Sequence, residues 1–492
     1  MRLYKKEGST IQIISFPSER VNKGDYLVIA DSSTGKGIIV QVVEIQYANI
    51  PGFLEELLRS CNDDYSIQGE DVDPFEMSNH IRYIQDAHLL ICKIRAVYSN
   101  KGPVFASSLL PSRSRAKIKK ISTERLFAQK KPNIKYLANL GETTEKNQLE
   151  VDIRALDGSL NIITGKKGTG KSHISKLLTL SLVSQGAPVV ILDLNSEYTG
   201  LGQDSDGKPN RFHKQIHILT PGHNLKVTLK QLKLGVMTSI LVNALNLPGT
   251  SAREFRRIWR FLEQNGNLTM QDLGSAIKSW KCNQHVRDAL FSRYYTILGS
   301  GLFTDDPMQA ISLEDSLKKS RVGGAVVIDL RDTSTIDRLI VVEYVLGKIV
   351  ELLSRWKLKA IFLFAEEAHL YLRETYWDDI VTRMRHFGVF TTFITNQPDT
   401  IRENIYRQAD NLFLFNFTNE HDLETISRAS KVDAETIKSI AHDLPLHHCV
   451  VLGNIVNDFP IVVKVRKLDV YAKGHTRLFF SSKTNFREVI QQ

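Results

Sequence analysis

Leu160-Asn161-Ile162-Ile163-Thr164-Gly165-Lys166-Lys167-Gly168-Thr169-Gly170-Lys171-Ser172 joins a short apolar run to a glycine-rich loop, and the residues from His173 to Val183 are good helix formers. The spacing Gly165-x-x-x-x-Gly170-Lys171-Ser172 is that of a phosphate-binding loop set between a strand and a helix. Such a loop must curl its backbone N–H groups around a polyphosphate, and glycine reaches conformations that side chains block. The following helix turns its positive dipole end toward the anion. Lys171 is placed to reach the terminal phosphates, and the Ser172 hydroxyl to coordinate Mg²⁺. Gly165, Lys167, Gly168, Thr169, Gly170, Lys171, Ser172 and His173 form the candidate cradle for a nucleoside triphosphate.

Outward from the loop, composition sets bounds. The chain has 492 residues, enough for about two to three domains. It is 42% hydrophobic and 24% charged, ordinary for a globular protein. The formal charge of +10 favours an anionic partner such as nucleic acid. Cys61, Cys92, Cys282 and Cys449 are too far apart for a metal knuckle and too few for a disulfide scaffold, which fits a reducing cytoplasm. No apolar stretch follows the N-terminal charges, so no signal peptide is expected. No segment approaches the about 20 apolar residues that span a bilayer, which argues against a membrane anchor.

Before the loop, residues 10–48 and 88–98 read as short β-rich runs separated by turns such as Asp31-Ser32-Ser33-Thr34-Gly35, with a helix expected over 53–61. A small β-barrel over residues 1–110 is the expectation. Residues 111–135 carry nine Lys/Arg against Glu124 alone. A solvated linker over 111–147 and a nucleic-acid or partner surface stand level as readings of that stretch.

From 148 to 470 strands alternate with helices, the pattern of a parallel α/β sheet. Val189–Asp193, Ala325–Asp329, Ile361–Phe364 and Val389–Ile394 are apolar enough to be buried on both faces. Residues 229–300 are expected to be an inserted helical subdomain. There, Ser251-x-x-Glu254 fits a capping box, and Phe255, Ile258, Trp259 and Leu262 line one helix face opposite Arg253, Arg256, Arg257 and Arg260. The arginine face reads first as a solvated surface and second as one turned to DNA or to a neighbouring subunit. The apolar tail over 471–492 is expected to pack on its own domain or on a neighbour.

Triphosphate hydrolysis also needs an acid on the Mg²⁺ side and a base for the attacking water. The pair Glu366-Glu367 follows directly on an apolar strand, so Glu366 is assigned to the metal and Glu367 to the water. Asp193 and Asp329 are read as supporting strand-end residues, and Glu197 as a more distant helper. Asn396 ends another strand, where ligands of open parallel sheets bind, and can sense the γ-phosphate. Arg383 and Arg385 precede that strand, too far back for their own nucleotide. They read equally as surface ion pairs and as arginines supplied to a neighbouring subunit.

Gly165–Ser172, Asp193-x-Asn195-x-Glu197-Tyr198, Glu366-Glu367-Ala368-His369, Arg385-His386-Phe387-Gly388, Thr395-Asn396-Gln397-Pro398 and Gln408-Ala409-Asp410-Asn411 occur in the order found in the HerA ATPases of the HerA–FtsK superfamily. The resemblance covers nearly the whole chain. It implies an α/β, RecA-like P-loop ATPase core behind an N-terminal HAS-barrel, with ATP and Mg²⁺ as cofactors. It also implies a hexameric ring moving double-stranded DNA, with the barrel docking a nuclease of the NurA kind for DNA-end resection or, in bacterial relatives, an effector of phage defence. By position it gives Glu367 as catalytic base, Glu366 as the Mg²⁺-side acid and Arg385 as an arginine finger acting in trans. The chain departs from the family in having Lys167-Gly168-Thr169 in the loop and Asn396 where glutamine is common, which leaves Asn396 and Gln397 as rival sensors. A rival to the motor is an ATP-regulated scaffold that assembles a nuclease or other effector with little translocation, and another is a remodeller of proteins.

Overall fold

The computed structural model describes residues 1–31, 36–48, 86–99, 110–127, 134–320, 323–371, 383, 385–417, 419–429, 432–442 and 444–471. The helix expected over 53–61 and nearly all of the tail expected over 471–492 lie outside them. Contacts divide the chain into two units. The first comprises Met1–Lys171 and Asn396–Arg466; the second comprises Ser172–Thr395 and the chain from Lys467 on.

The first unit begins with strands β1 (Arg2–Glu7), β2 (Thr10–Ser15), β3 (Tyr26–Asp31), β4 (Lys36–Tyr47), β5 (His88–Ser99) and β6 (Ala116–Ile121). They form one antiparallel sheet in the order β1-β2-β5-β4-β3-β6. Every second residue points inward, as the strand period requires. Leu3, Ile11, Leu27, Ile38 and Leu90 therefore share one core, against which Ala116 and Ile118 of β6 also pack. The sheet curls into a half-barrel in which β1 and β6 approach each other, although among the described residues no ladder joins them.

The remaining strands are β7 (Leu137–Thr143), β8 (Gln148–Asp152), β9 (Asn161–Thr164), β10 (Pro188–Asp193), β11 (Ile216–Leu219), β12 (Gly324–Asp329), β13 (Ile361–Glu366), β14 (Val389–Thr395), β15 (Asn411–Leu414), β16 (His448–Gly453) and β17 (Ile461–Val465). The stretch 111–147, read as a linker, is thus largely folded. It supplies β6 to the first sheet and β7 to the ATPase region, and its lysines Lys117, Lys119 and Lys120 decorate a strand rather than a tether.

Within the first unit β9 pairs in parallel with β15, and antiparallel ladders continue through β16, β17, β7 and β8. The curled sheet is fastened to this part. Tyr26 Oη and Gln41 Nε2 both donate to the Pro460 carbonyl, at 2.7 and 2.8 Å. Arg95 donates to Asp433 at 2.8 Å and to Thr436 at 2.5 Å, at the start of the helix Ala434–Ala441.

In the second unit the order is β11-β12-β10-β13-β14 and every pairing is parallel. Strands β10, β12, β13 and β14 are buried on both faces, in keeping with their continuous apolar runs. Helix α1 (Lys171–Ser184) leads from β9 toward β10. Helices α2 (Gly249–Gln264), α3 (Met270–Ser279) and α4 (Gln284–Gly299) make up most of the expected insertion, and α5 (Thr335–Ser354) crosses over from β12 to β13. Phe255, Ile258, Trp259 and Leu262 are buried as their spacing predicts. The expected capping box is absent. Helix α2 starts at Gly249, so Ser251 is already inside it and buried, and Glu254 instead accepts from Trp280 Nε1 at 3.1 Å and Arg257 at 2.8 Å.

Candidate nucleotide site

The phosphate loop is built within the first unit. Gly165 has φ +152°, and a Cβ there would overlap the side chain of Phe415, which follows β15; Gly168 has φ +82°, in the left-handed region. Lys166 N donates to Asn416 O at 3.0 Å, and His447 N donates to Thr169 O at 3.1 Å, so two neighbouring segments hold the loop open. Lys171 Nζ donates to the carbonyls of Gly165 at 2.8 Å and Lys166 at 3.1 Å, along the loop's inner edge. The Gln408-Ala409-Asp410-Asn411 stretch acquires a physical role. Asp410 accepts from Leu160 N at 2.9 Å, and the buried Asn411 bridges Asn161 Oδ1 and Ile455 N, both at 2.8 Å. These bonds clamp the strand that delivers the loop.

The acids are built within the second unit. Glu366 ends β13 and is 3% exposed; Asp193 ends β10, the adjacent strand, and is 0% exposed. Burial raises the carboxyl of Asp193 to about 6, against the opposing pull of the Tyr198 and Glu197 amides that donate to it at 2.8 and 3.0 Å. Burial also pushes Glu366 well up, with the charges of Glu197 and Asp193 adding to it. Two buried carboxyls at the ends of adjacent strands each disfavour the other's ionisation. Asp193, read from the sequence as supporting, therefore belongs to the acid centre itself. Its four-residue spacing to Glu197 was a signal, since an aspartate at a strand end can cap the turn that follows.

Helix α1 meets this centre. Tyr198 Oη donates to Ser175 at 2.9 Å, and the buried Lys176 stands among the charges of Glu197, Asp193 and Glu366. Burial lowers the Lys176 pKa. Of those three carboxylates Glu197, read as a distant helper, acts most strongly on Lys176. Asp329 accepts from Ser196 Oγ at 2.5 Å and from Arg331 N at 3.2 Å.

Glu367 differs from Glu366 in every respect that bears on its use. It lies in the left-handed region (φ 46°, ψ 46°), outside the strand, with its amide donating to Ile394 O at 2.7 Å. Its side chain is 15% exposed and stands 3.6 Å from His369 Nδ1. A β-carbon-bearing residue held there costs roughly 1–3 kcal/mol and is characteristic of functional turns.

Asn396 is the first residue beyond β14 and is half-buried, whereas Gln397 is exposed. Arg385 lies elsewhere. Strands β13 and β14 run in parallel with Ile361 opposite Val389 and Glu366 opposite Ile394, and Arg385 precedes Val389. The strand length alone separates Arg385 from Glu366 by roughly 17 Å. The fold thus brings Asp193, Glu366 and Glu367 to one end of the strands and sets Arg385 at the other.

The donor set fits a hard divalent cation. Glu366 Oε2 is otherwise a buried acceptor without a donor, Asp193 lies beside it, and carboxylate and hydroxyl oxygens suit Mg²⁺ better than softer metals. Among the described residues no cluster of three or more His, Cys, Asp or Glu forms a metal cage. No described helix is long and apolar enough to cross a membrane.

Residues 138–349 match the family model described as the central domain of helicase HerA. The DNA double-strand break repair helicase HerA of Saccharolobus solfataricus is 24% identical over 352 residues, covering 66% of this chain and 68% of that protein. A probable helicase of Methanocaldococcus jannaschii is 21% identical, covering 66% of each. Among solved structures, VirB4 of Thermoanaerobacter pseudethanolicus superimposes with a TM-score of 0.52 at 17% identity, over 68% of this chain and 98% of that one. The bacterial conjugative coupling protein TrwB superimposes with a TM-score of 0.50 at 15% identity, over 72% and 94%. The central region of the chain is thus similar to the central domain of helicase HerA, and its fold is shared with VirB4 and TrwB.

Proposed function

We propose that the chain is an ATP-driven translocase of double-stranded DNA, of the helicase type, working as a hexameric ring by analogy with HerA. The carrying observation is the split of its chemical parts: Asp193, Glu366 and Glu367 gather at one end of β10 and β13, while Arg385 sits at the far end of β14. An arginine so placed serves the nucleotide of an adjacent copy. The Gly165–Lys171 loop holds the phosphates, Ser172 and Glu366 hold Mg²⁺ with Asp193 beside them, and Glu367 orients and deprotonates the attacking water. When bound, Mg²⁺ neutralises phosphate charge. Asn396 senses the γ-phosphate, a reading supported by its partial burial beside an exposed Gln397.

The helicase names of the relatives and the formal charge of +10 support DNA as the load. A nuclease partner docking on the β1–β6 sheet belongs to the same reading. The test is ATP turnover with and without duplex DNA. Stimulation by duplex, weakening steeply as salt rises, is expected of a motor gripping phosphates. A rate indifferent to DNA sinks the motor and leaves the ATP-regulated scaffold.

The raised carboxyls give a second expectation. A cation that needs Asp193 and Glu366 ionised competes with protons for them. As the pH falls toward 6, half-maximal ATP hydrolysis should require more Mg²⁺. A Mg²⁺ requirement that stays constant between pH 8 and 6 contradicts the assignment.

A further inference from the structure

The turn that carries Glu367 is fixed through its backbone. Glu367 N donates to Ile394 O at 2.7 Å, and Glu367 O accepts from Leu370 N at 2.9 Å. Tyr371 Oη donates to Glu366 O at 2.8 Å, and Tyr371 N to Ala368 O at 3.2 Å. These bonds set the course of residues 366–371 but do not hold the Glu367 side chain, which keeps rotatable bonds of its own. A general base works only when its carboxylate oxygen is aimed at the proton it takes.

The group placed to aim it is His369, in the single helical turn Ala368–Leu370. Its Nδ1 stands 3.6 Å from Glu367 Oε2 and 3.4 Å from Thr395 Oγ1. Thr395 is the buried last residue of β14, and Glu367 directly follows β13, the strand paired with it. The largely buried imidazole is thus lodged across the ends of two neighbouring strands, all within the second unit. An ionised carboxylate can only accept, so the ring nitrogen that faces it carries the proton, and Nε2 is the acceptor of the neutral ring. At 3.6 Å the approach is longer than a formed hydrogen bond. A base and the group that orients it often stand this far apart without substrate and close the gap when it binds.

We propose that His369 is the positioning residue of the hydrolytic base: its Nδ1–H, steadied against Thr395, holds the Glu367 carboxylate toward the attacking water. The inference rests on the reading of Glu367 as that base. His369 itself exchanges no proton with the reactants and acts only through the carboxylate. The strained backbone at residue 367 sets where the side chain starts, and the imidazole sets where it points.

Steady-state ATP hydrolysis by the full chain tests it. His369→Ala should lower kcat about 10- to 100-fold, the usual cost of losing a group that orients a reacting one, with KM for ATP unchanged. His369→Asn, whose amide puts an N–H near the Nδ1 position, should recover most of the rate. His369→Gln, which puts it near Nε2, should not; a residue that only fills space would not tell the two amides apart. This pair still decides the matter if His369→Ala does not fold. In a Glu367→Gln background His369→Ala should cost nothing further, because the carboxylate it aims is gone. Equal rates for the Asn and Gln variants, a raised KM with kcat unchanged, or a full additional loss in the Glu367→Gln background overturns the inference. If Glu367→Gln alone hydrolyses ATP at the unaltered rate, the reading of Glu367 as base falls and this inference with it. That outcome is distinct from a slow Glu367→Gln beside an unaffected His369→Ala, which removes His369 alone.

Discussion

Glu367→Gln is expected to bind ATP with unchanged affinity and to hydrolyse it roughly 10³-fold more slowly, the usual contribution of a positioned general base. The substitution keeps size and shape, so the left-handed turn at residue 367 and its amide bond to Ile394 O are retained. What is lost is the ability to take a proton from water. Glu366→Gln should behave differently. Its side chain is buried against Asp193, so the change removes a metal-side charge and shows itself first as a higher Mg²⁺ requirement. Single-turnover hydrolysis and nucleotide binding, measured on both variants, separate the two roles. If Glu366→Gln alone stops hydrolysis with ATP still bound, the roles are reversed.

Arg385→Ala is expected to lower kcat by about 10³-fold or more while leaving ATP binding intact, because an arginine finger acts on transition-state charge. Two facts make the variant informative. Arg385 is set back from the acid centre by the length of β14, and its carbonyl accepts from Gly388 N at 3.0 Å in the turn before that strand. Its removal therefore leaves its own chain's acids untouched. Mixing Arg385→Ala chains with Lys171→Ala chains gives the decisive readout. Each is silent alone, but in a mixed assembly an intact phosphate loop can meet an intact arginine. Partial recovery of ATP turnover is expected; no recovery over a range of mixing ratios removes Arg385 from the neighbour's chemistry.

The parts of the site that sequence made legible are those whose chemistry needs fixed spacing. Gly165 to Ser172 must curl around phosphate, and Glu366-Glu367 must stand at the end of a buried strand, so local pattern carried both. The parallel strands β10, β12, β13 and β14 were legible for a related reason: burial on both faces leaves an unbroken apolar run. Edge strand β11 is short and carries His217, which hid it. The antiparallel additions β7, β8 and β17 alternate polar and apolar residues and merge with the turns around them. The lysines of β6 masked a strand as a linker, because charge on an edge strand and charge on a tether look alike in sequence. Ser251 misled because a capping pattern is local, whereas the start of α2 is set two residues earlier. Asp193 was undervalued because its neighbour Glu366 is distant in sequence and adjacent only across the ladder of β10 and β13.

The bonds between the curled N-terminal sheet and the rest of its unit also define a path for mechanical load. Tension applied at β4 or β5 passes through Gln41 and Arg95 to Pro460 and to the helix Ala434–Ala441. From Pro460 it runs through consecutive ladders of β17, β16 and β15 into β9, and so to Gly165. The steps are directional hydrogen bonds joined by short stretches of main chain within one unit. Whatever grips the N-terminal sheet thus pulls on the strand that presents the phosphate loop, with the stiffness of a beam.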